Sequence, residues 1–257
     1  PRTPLMPAIM DSATDVATTK IDASERLIFA LDVPTVKEAM GLVEQLDGLV
    51  SFFKVGLELY TAQGLGIIHD LVDAKKRVFL DLKYFDVPET VQSAVEAVVQ
   101  MGVEFLTIHG NGKIVRAAVQ GRGSAPLHLL SVTALTSLDD DDMNDLGLTC
   151  SVKDLVLYRA KKALEAGCDG VITSPEESSS VRQLAKMLGK DQFLIVNPGI
   201  RPQTFSRDDH KRLGTPSKAI KAGADYLVIG RPIRTSSNPR VSAEAIVREM
   251  QDAFDSL

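Results

Sequence analysis

The sequence predicts an α/β protein, a closed (β/α)8 or TIM barrel, on three observations. Eight short apolar or β-branched runs recur along the chain, an amphipathic pattern of helical period follows each, and no GxGxxG turn follows the first run. Strict alternation repeated eight times favours closure, and the missing glycine signature weakens an open dinucleotide-binding sheet.

The strands read in order as RLIFALD at 26–32, SFFKVG at 51–56, RVFLDLK at 77–83, EFLTIHG at 104–110, LHLLSVTALT at 127–136, DGVITS at 169–174, QFLIVNPG at 192–199 and DYLVIG at 225–230. Several are nearly continuous apolar stretches, as expected of parallel strands covered by helices. Helices are expected over 35–46, where Val36, Ala39, Met40 and Val43 recur at intervals of three and four, and over 89–101, where Val91, Val95, Val98 and Val99 do the same. Others are expected over 57–74, 113–120, 152–166, 175–188, 215–222 and 243–254. Three returns to a strand read alike, MGVEFL, AGCDGV and AGADYL, each with a glycine suited to the left-handed position that ends a helix. The acidic stretch 139–142 reads as a solvated loop, with metal binding a weaker competitor.

Residues 26–257 are therefore expected to form a single catalytic domain behind a loose, proline-bearing leader at 1–25. With 44% hydrophobic and 25% charged residues the composition is that of a soluble globular protein. The net charge of -5 argues against a nucleic-acid partner while leaving room for a small anion held by local arginines. Cys150 and Cys168 form no CxxC pair, which fits a reducing, cytoplasmic setting. No apolar run approaches the ~20 residues that span a bilayer, so no membrane partner is expected.

In such a barrel the carboxyl ends of the strands converge on one face, so polar residues there require an explanation. The set is Asp32, Lys54, Asp81, Lys83, Asp86, His109, Asn111, Thr133, Thr136, Ser137, Asn197, Arg201, Gly230 and Arg231. In FLDLKYFDVPETV, a period of two turns Asp81 and Lys83 to one side of the third strand and Leu80 and Leu82 to the helices. Lys54, facing inward from the neighbouring strand, would add a second ammonium. Alternating charges tolerate confinement because each offsets the cost of burying the next. Such a cluster fits a catalytic or substrate-binding role, and the alternative is a structural ion pair. PGIRP and VIGRPI put Arg201, Gly230 and Arg231 where two loops commonly build a phosphate corner; the alternative is pairing of both arginines with surface carboxylates. His69 and His128 read as structural, His109 has no second ligand at a metal-binding spacing, and Cys168 reads as packing.

The motifs LDVP, FKVGLEL, FLDLKYFDVPETV, VTALTS, NPGIRP and VIGRPI occur in this order from about Arg26 to the last helix, and together they resemble the orotidine 5'-phosphate decarboxylase family. The resemblance implies cofactor-free conversion of orotidine 5'-monophosphate (OMP) to UMP and CO2 in pyrimidine biosynthesis. It also implies a homodimer with shared sites, in which Lys54, Asp81 and Lys83 come from one subunit and Asp86 and Thr90 from the other. Asp32 and Lys54 become ribose contacts, Thr136, with Ser137 as the near alternative, a pyrimidine contact, and Arg201, Gly230 and Arg231 phosphate contacts. His210 stands where the family commonly has a glutamine bridging base and phosphate. Lys83, held cationic by Asp81 and Asp86, becomes the group that meets the carbanion at C6 and protonates it. Asp81 either stresses the substrate carboxylate or holds the lysines. Two alternatives remain: a sugar-phosphate aldolase or decarboxylase, often Mg2+-dependent, that shares DxKxxD, and a noncatalytic nucleotide binder.

Overall fold

The computed structural model describes residues 21–202 and 214–257. Eight parallel strands close in sequence order: β1 Leu27–Ala30, β2 Phe52–Gly56, β3 Arg77–Tyr84, β4 Phe105–Ile108, β5 His128–Val132, β6 Gly170–Ile172, β7 Leu194–Asn197 and β8 Tyr226–Ile229, with β8 pairing β1. All eight expected strands are present; β3 runs one residue further than expected, to Tyr84, and the others are trimmed at their ends.

Eleven α-helices among the described residues wrap the barrel: α1 Val36–Gln45, α2 Leu57–Gln63, α3 Gly66–Asp73, α4 Pro88–Val99, α5 Gly112–Arg122, α6 Asp140–Asp145, α7 Val152–Glu165, α8 Pro175–Met187, α9 Pro216–Lys221, α10 Arg231–Arg234 and α11 Pro239–Phe254. The glycines of the three similar returns, Gly102, Gly167 and Gly223, adopt φ of 73°, 81° and 107°, as their place after a helix requires. No helix among the described residues is long and apolar enough to cross a membrane.

Three local expectations need correction. The single helix over 57–74 is two, because Gly64 at φ 66° stops α2 with its N–H on Tyr60 O. The acidic stretch 139–142 is not a loop. It caps and begins α6, where the Asp139 carboxylate accepts from the N–H groups of Asp141 and Asp142, and the Asp142 carboxylate accepts in return from Asp139 N–H. Part of the expected leader is ordered: Ala23 is buried in a 3-10 turn, Ala23–Arg26, and Gln251 of α11 bonds both Ala23 N–H and Ile21 C=O.

Alternation along each strand sorts side chains into two cores. Leu27, Phe29, Phe53, Val55, Val78, Leu80, Leu106 and Ile108 point outward to the helices, while Ile28, Phe52, Phe79, Phe105, Leu130, Val196 and Tyr226 fill the barrel. Phe105 is central to the inner core, edge-on to Phe52, Tyr226 and Phe79 at 4.9, 5.1 and 5.9 Å. Below it Arg77 closes the floor, 4.2 Å over the Phe52 ring and bidentate to Glu104 at 2.7 and 2.6 Å. Burial opposes the Arg77 charge, yet Glu104 outweighs it and holds the guanidinium's proton more tightly than usual. Phe105→Ala is expected to cost about 3–5 kcal/mol through lost burial and the cavity left behind. Urea denaturation checks this; a loss under 1 kcal/mol would mean the aromatic layer does not hold the barrel together.

Candidate active site

The pleat that buries Phe52 and Phe79 carries the same faces of β2 and β3 upward to Lys54 and Asp81. Lys54 and Asp81 are therefore committed to the barrel mouth by the register of the core beneath them. Lys54 Nζ donates to Asp32 Oδ1 at 2.9 Å and lies 3.6 Å from Asp81 Oδ2, and Lys83 Nζ reaches Asp81 Oδ1 at 2.8 Å. The result is a row of alternating charge, Asp32, Lys54, Asp81, Lys83, across three strands. Burial alone would raise the Asp81 pKa, but Lys54, Lys83 and the donors on its oxygens hold it below the usual carboxylate range. The Lys54 side chain is 10% exposed and that of Lys83 31%, so Lys83 is the more open of the two ammoniums.

Two features of this row are not visible in a strand pattern. Gly56 leaves space that a side chain would take from the pair, since a Cβ there would lie 2.8 Å from Lys54 Nζ. Thr107, wholly buried on β4, accepts from Lys83 N–H at 2.9 Å and donates to Asp81 Oδ1 at 2.9 Å. Between them β3 bulges: Leu80 pairs Leu106 and Tyr84 pairs Ile108, so residues 81, 82 and 83 stand opposite Thr107 alone. Lys83 sits at φ 51° in that bulge, a conformation that costs a non-glycine residue about 1–2 kcal/mol.

A cavity of about 220 Å3 opens on this row, lined by Lys54, Asp81, Lys83, Thr136 and Ser137 on its polar side and by Val132, Ala134, Ile172, Pro198 and Val228 on its apolar side. A larger cleft of about 640 Å3 lies beside the start of α5, lined by Phe85, His109, Lys113, Arg116, Tyr158 and Arg159. The smaller cavity is the better site because it holds the charge row and combines a polar edge with apolar walls. His109, on the rim, is shifted toward its neutral form by burial and by the charges of Arg159 and Lys83.

Beyond the row, β7 and β8 lead into the arginine corner. Arg201 N–H bonds Gly214 O at 2.9 Å, and its guanidinium is acidified by burial and by the nearby charge of Arg231. The two guanidiniums are near enough for the charge of one to act on the other, which gathers positive charge at this corner. Gly230 permits close approach of the β8 end to β1, where an added Cβ would lie 3.2 Å from Ala30 Cβ and 3.8 Å from Asp32 Oδ2.

Asp86 and Thr90 stand apart from Lys83. Both are exposed, on the loop after β3 and in the first turn of α4, and the Asp86 carboxylate accepts only from Val87 N–H among the described residues. Within one chain Asp86 therefore does not hold Lys83. Phe85 and Val87, on either side of it, are 65% and 58% exposed, an apolar surface at the rim. His210 lies outside the described residues. Cys168 is buried as expected, its thiol pushed up to about 12 by burial and donating to Leu129 O at 2.9 Å.

Residues 25–246 match the model of the orotidine 5'-phosphate decarboxylase / HUMPS family. Orotidine 5'-phosphate decarboxylase of Nitrobacter winogradskyi is 48% identical over 232 residues, covering 90% of this chain and 95% of that protein. The enzyme of the same name from Methylococcus capsulatus is also 48% identical, covering 91% and 95%. Among solved structures, orotidine 5'-phosphate decarboxylase from Lactobacillus acidophilus superposes with a TM-score of 0.76 at 34% identity, covering 88% of this chain and 99% of that one. With the barrel, the charge row and the sequence match in agreement, the chain belongs to the orotidine 5'-phosphate decarboxylase / HUMPS family.

Proposed function

We infer that this chain decarboxylates OMP to UMP in pyrimidine biosynthesis, and that the Asp32, Lys54, Asp81, Lys83 row carries the chemistry. OMP is a substrate of its family, and the relatives named above are carboxy-lyases. The bond between C6 and the carboxylate breaks, CO2 leaves, and the electron pair stays on C6. The Lys83 ammonium stabilises that pair and then gives C6 a proton; water restores the lysine. Positive charge fixed in advance where negative charge develops is the most effective form of electrostatic catalysis. Asp81 serves here to hold both ammoniums, a role supported by its contacts to Lys54 and Lys83. The reading calls for no metal or organic cofactor, since the side chains supply the charge.

Asp32 and Lys54 bind the ribose hydroxyls, Thr136 and Ser137 the pyrimidine edge, and Arg201, Gly230 and Arg231 the phosphate. His210 falls at the family's glutamine position, where an imidazole could offer the ligand one hydrogen bond but differs from an amide in shape and charge. The net charge of -5 and the two unpaired cysteines support a cytoplasmic protein without nucleic-acid or membrane partners. The deciding experiment follows the loss of OMP absorbance with purified protein in the presence of a chelator. Release of CO2 at an undiminished rate supports the reading; turnover only of a sugar phosphate, and only with Mg2+, would overturn it.

The functional unit is a homodimer with two shared sites, Asp86 and Thr90 reaching from each subunit to Lys83 of the other. Their exposure, and the apolar Phe85 and Val87 around them, support this arrangement. Mixing inactive Lys83→Ala and Asp86→Ala proteins is expected to restore about a quarter of the parent activity, since half of the chains pair as heterodimers with one intact site in two. No recovery after verified subunit exchange would refute the sharing.

A further inference from the structure

We propose that the Thr107 hydroxyl is a positioning group for decarboxylation, fixing Asp81 and Lys83 in their working geometry through one oxygen atom. The proposal rests on the reading of the site as a decarboxylase and deepens it. Three observations carry it. The β3 bulge sets residues 81–83 against Thr107, so the Lys83 N–H has left the ladder and the Thr107 oxygen receives it at 2.9 Å. The same hydroxyl donates to Asp81 Oδ1, the oxygen that also binds Lys83 Nζ. Lys83 is held at φ 51°, and its amide is anchored at that bend.

Plain packing does not call for this residue. Val132 and Val228 fill inward positions of β5 and β8 with apolar branched side chains, and valine, close to threonine in shape, would fill the space of Thr107 equally well. A hydroxyl in a fully buried position that spends its donor on one catalytic group and its acceptor on the backbone of the next is a device for orientation. It acts through Asp81 and Lys83 and does not touch the substrate.

The groups facing Asp81 are Lys54 from β2, Lys83 from β3 and Thr107 from β4, with Asp32 beyond Lys54 and His109 and Arg159 on the rim. Removing the Thr107 donor takes one stabilising bond from the carboxylate, so its protonation begins at higher pH and the acid limb of the kcat profile moves upward.

The test compares Thr107→Val and Thr107→Ser in the full-length protein. Thr107→Val is expected to lower kcat by about 10–100-fold with UMP affinity within threefold of the parent, and to shift the acid limb to higher pH. Thr107→Ser, which keeps the hydroxyl, is expected to recover kcat to within threefold and to restore the profile. Should Thr107→Val fail to fold, Thr107→Cys carries the test, its weak thiol giving a smaller loss and a smaller shift in the same direction. Unchanged kcat in the valine variant, equal losses in valine and serine, or an equal fall in UMP affinity and kcat would each overturn the proposal. Absence of OMP turnover by the parent would instead refute the reading beneath it.

Discussion

Lys83→Ala is expected to lower single-turnover decarboxylation by at least about 10⁴-fold while nucleotide affinity stays near that of the parent. On the proposed mechanism two contributions vanish with one side chain: the positive charge beside C6 and the proton that quenches the carbanion. Lys54 cannot substitute, since its ammonium is committed to Asp32 at 2.9 Å and its side chain is the more deeply buried of the two. The arginine corner proposed to hold the phosphate is untouched, so the variant should still bind UMP. A single-turnover rate within tenfold of the parent would remove Lys83 from its assigned role.

Arg231→Ala should act from the other end of the ligand. A guanidinium lost from a charge-assisted contact with phosphate typically costs about 2–5 kcal/mol, a fall in kcat/KM of roughly 30- to 5000-fold. The signature is lost discrimination: the parent should prefer nucleotide to nucleoside strongly, the variant hardly at all. Because phosphate binding energy can be used to order the site around C6, kcat should fall along with affinity. A variant that separates nucleotide from nucleoside as well as the parent does would show that the anion is held elsewhere.

The barrel was legible because its rules are local. Nearly continuous apolar runs mark buried parallel strands, and the glycines at 102, 167 and 223 mark helix ends by backbone necessity. The break at Gly64 was hidden because the apolar pattern of 57–74 continues through it, and α6 was hidden because an aspartate run reads as solvated until its capping role is seen. The pairing of Asp81 with Lys83 was legible from their period of two along β3. Thr107 was not, since its importance depends on a bulge that pairs three residues with one, and no sequence spacing reveals that register. Gly56 escaped for a related reason: the atom it makes room for belongs to a side chain two residues away, folded back toward β1.

The bulge also decouples durability from chemistry. The reach of the Lys83 ammonium is set by its own bent backbone and by Thr107, while the floor around Arg77 and Phe105 anchors the closed sheet from the opposite end. Substitutions that reinforce the lower rim can therefore raise the melting temperature without retuning turnover, which makes the floor the place to begin in hardening this catalyst.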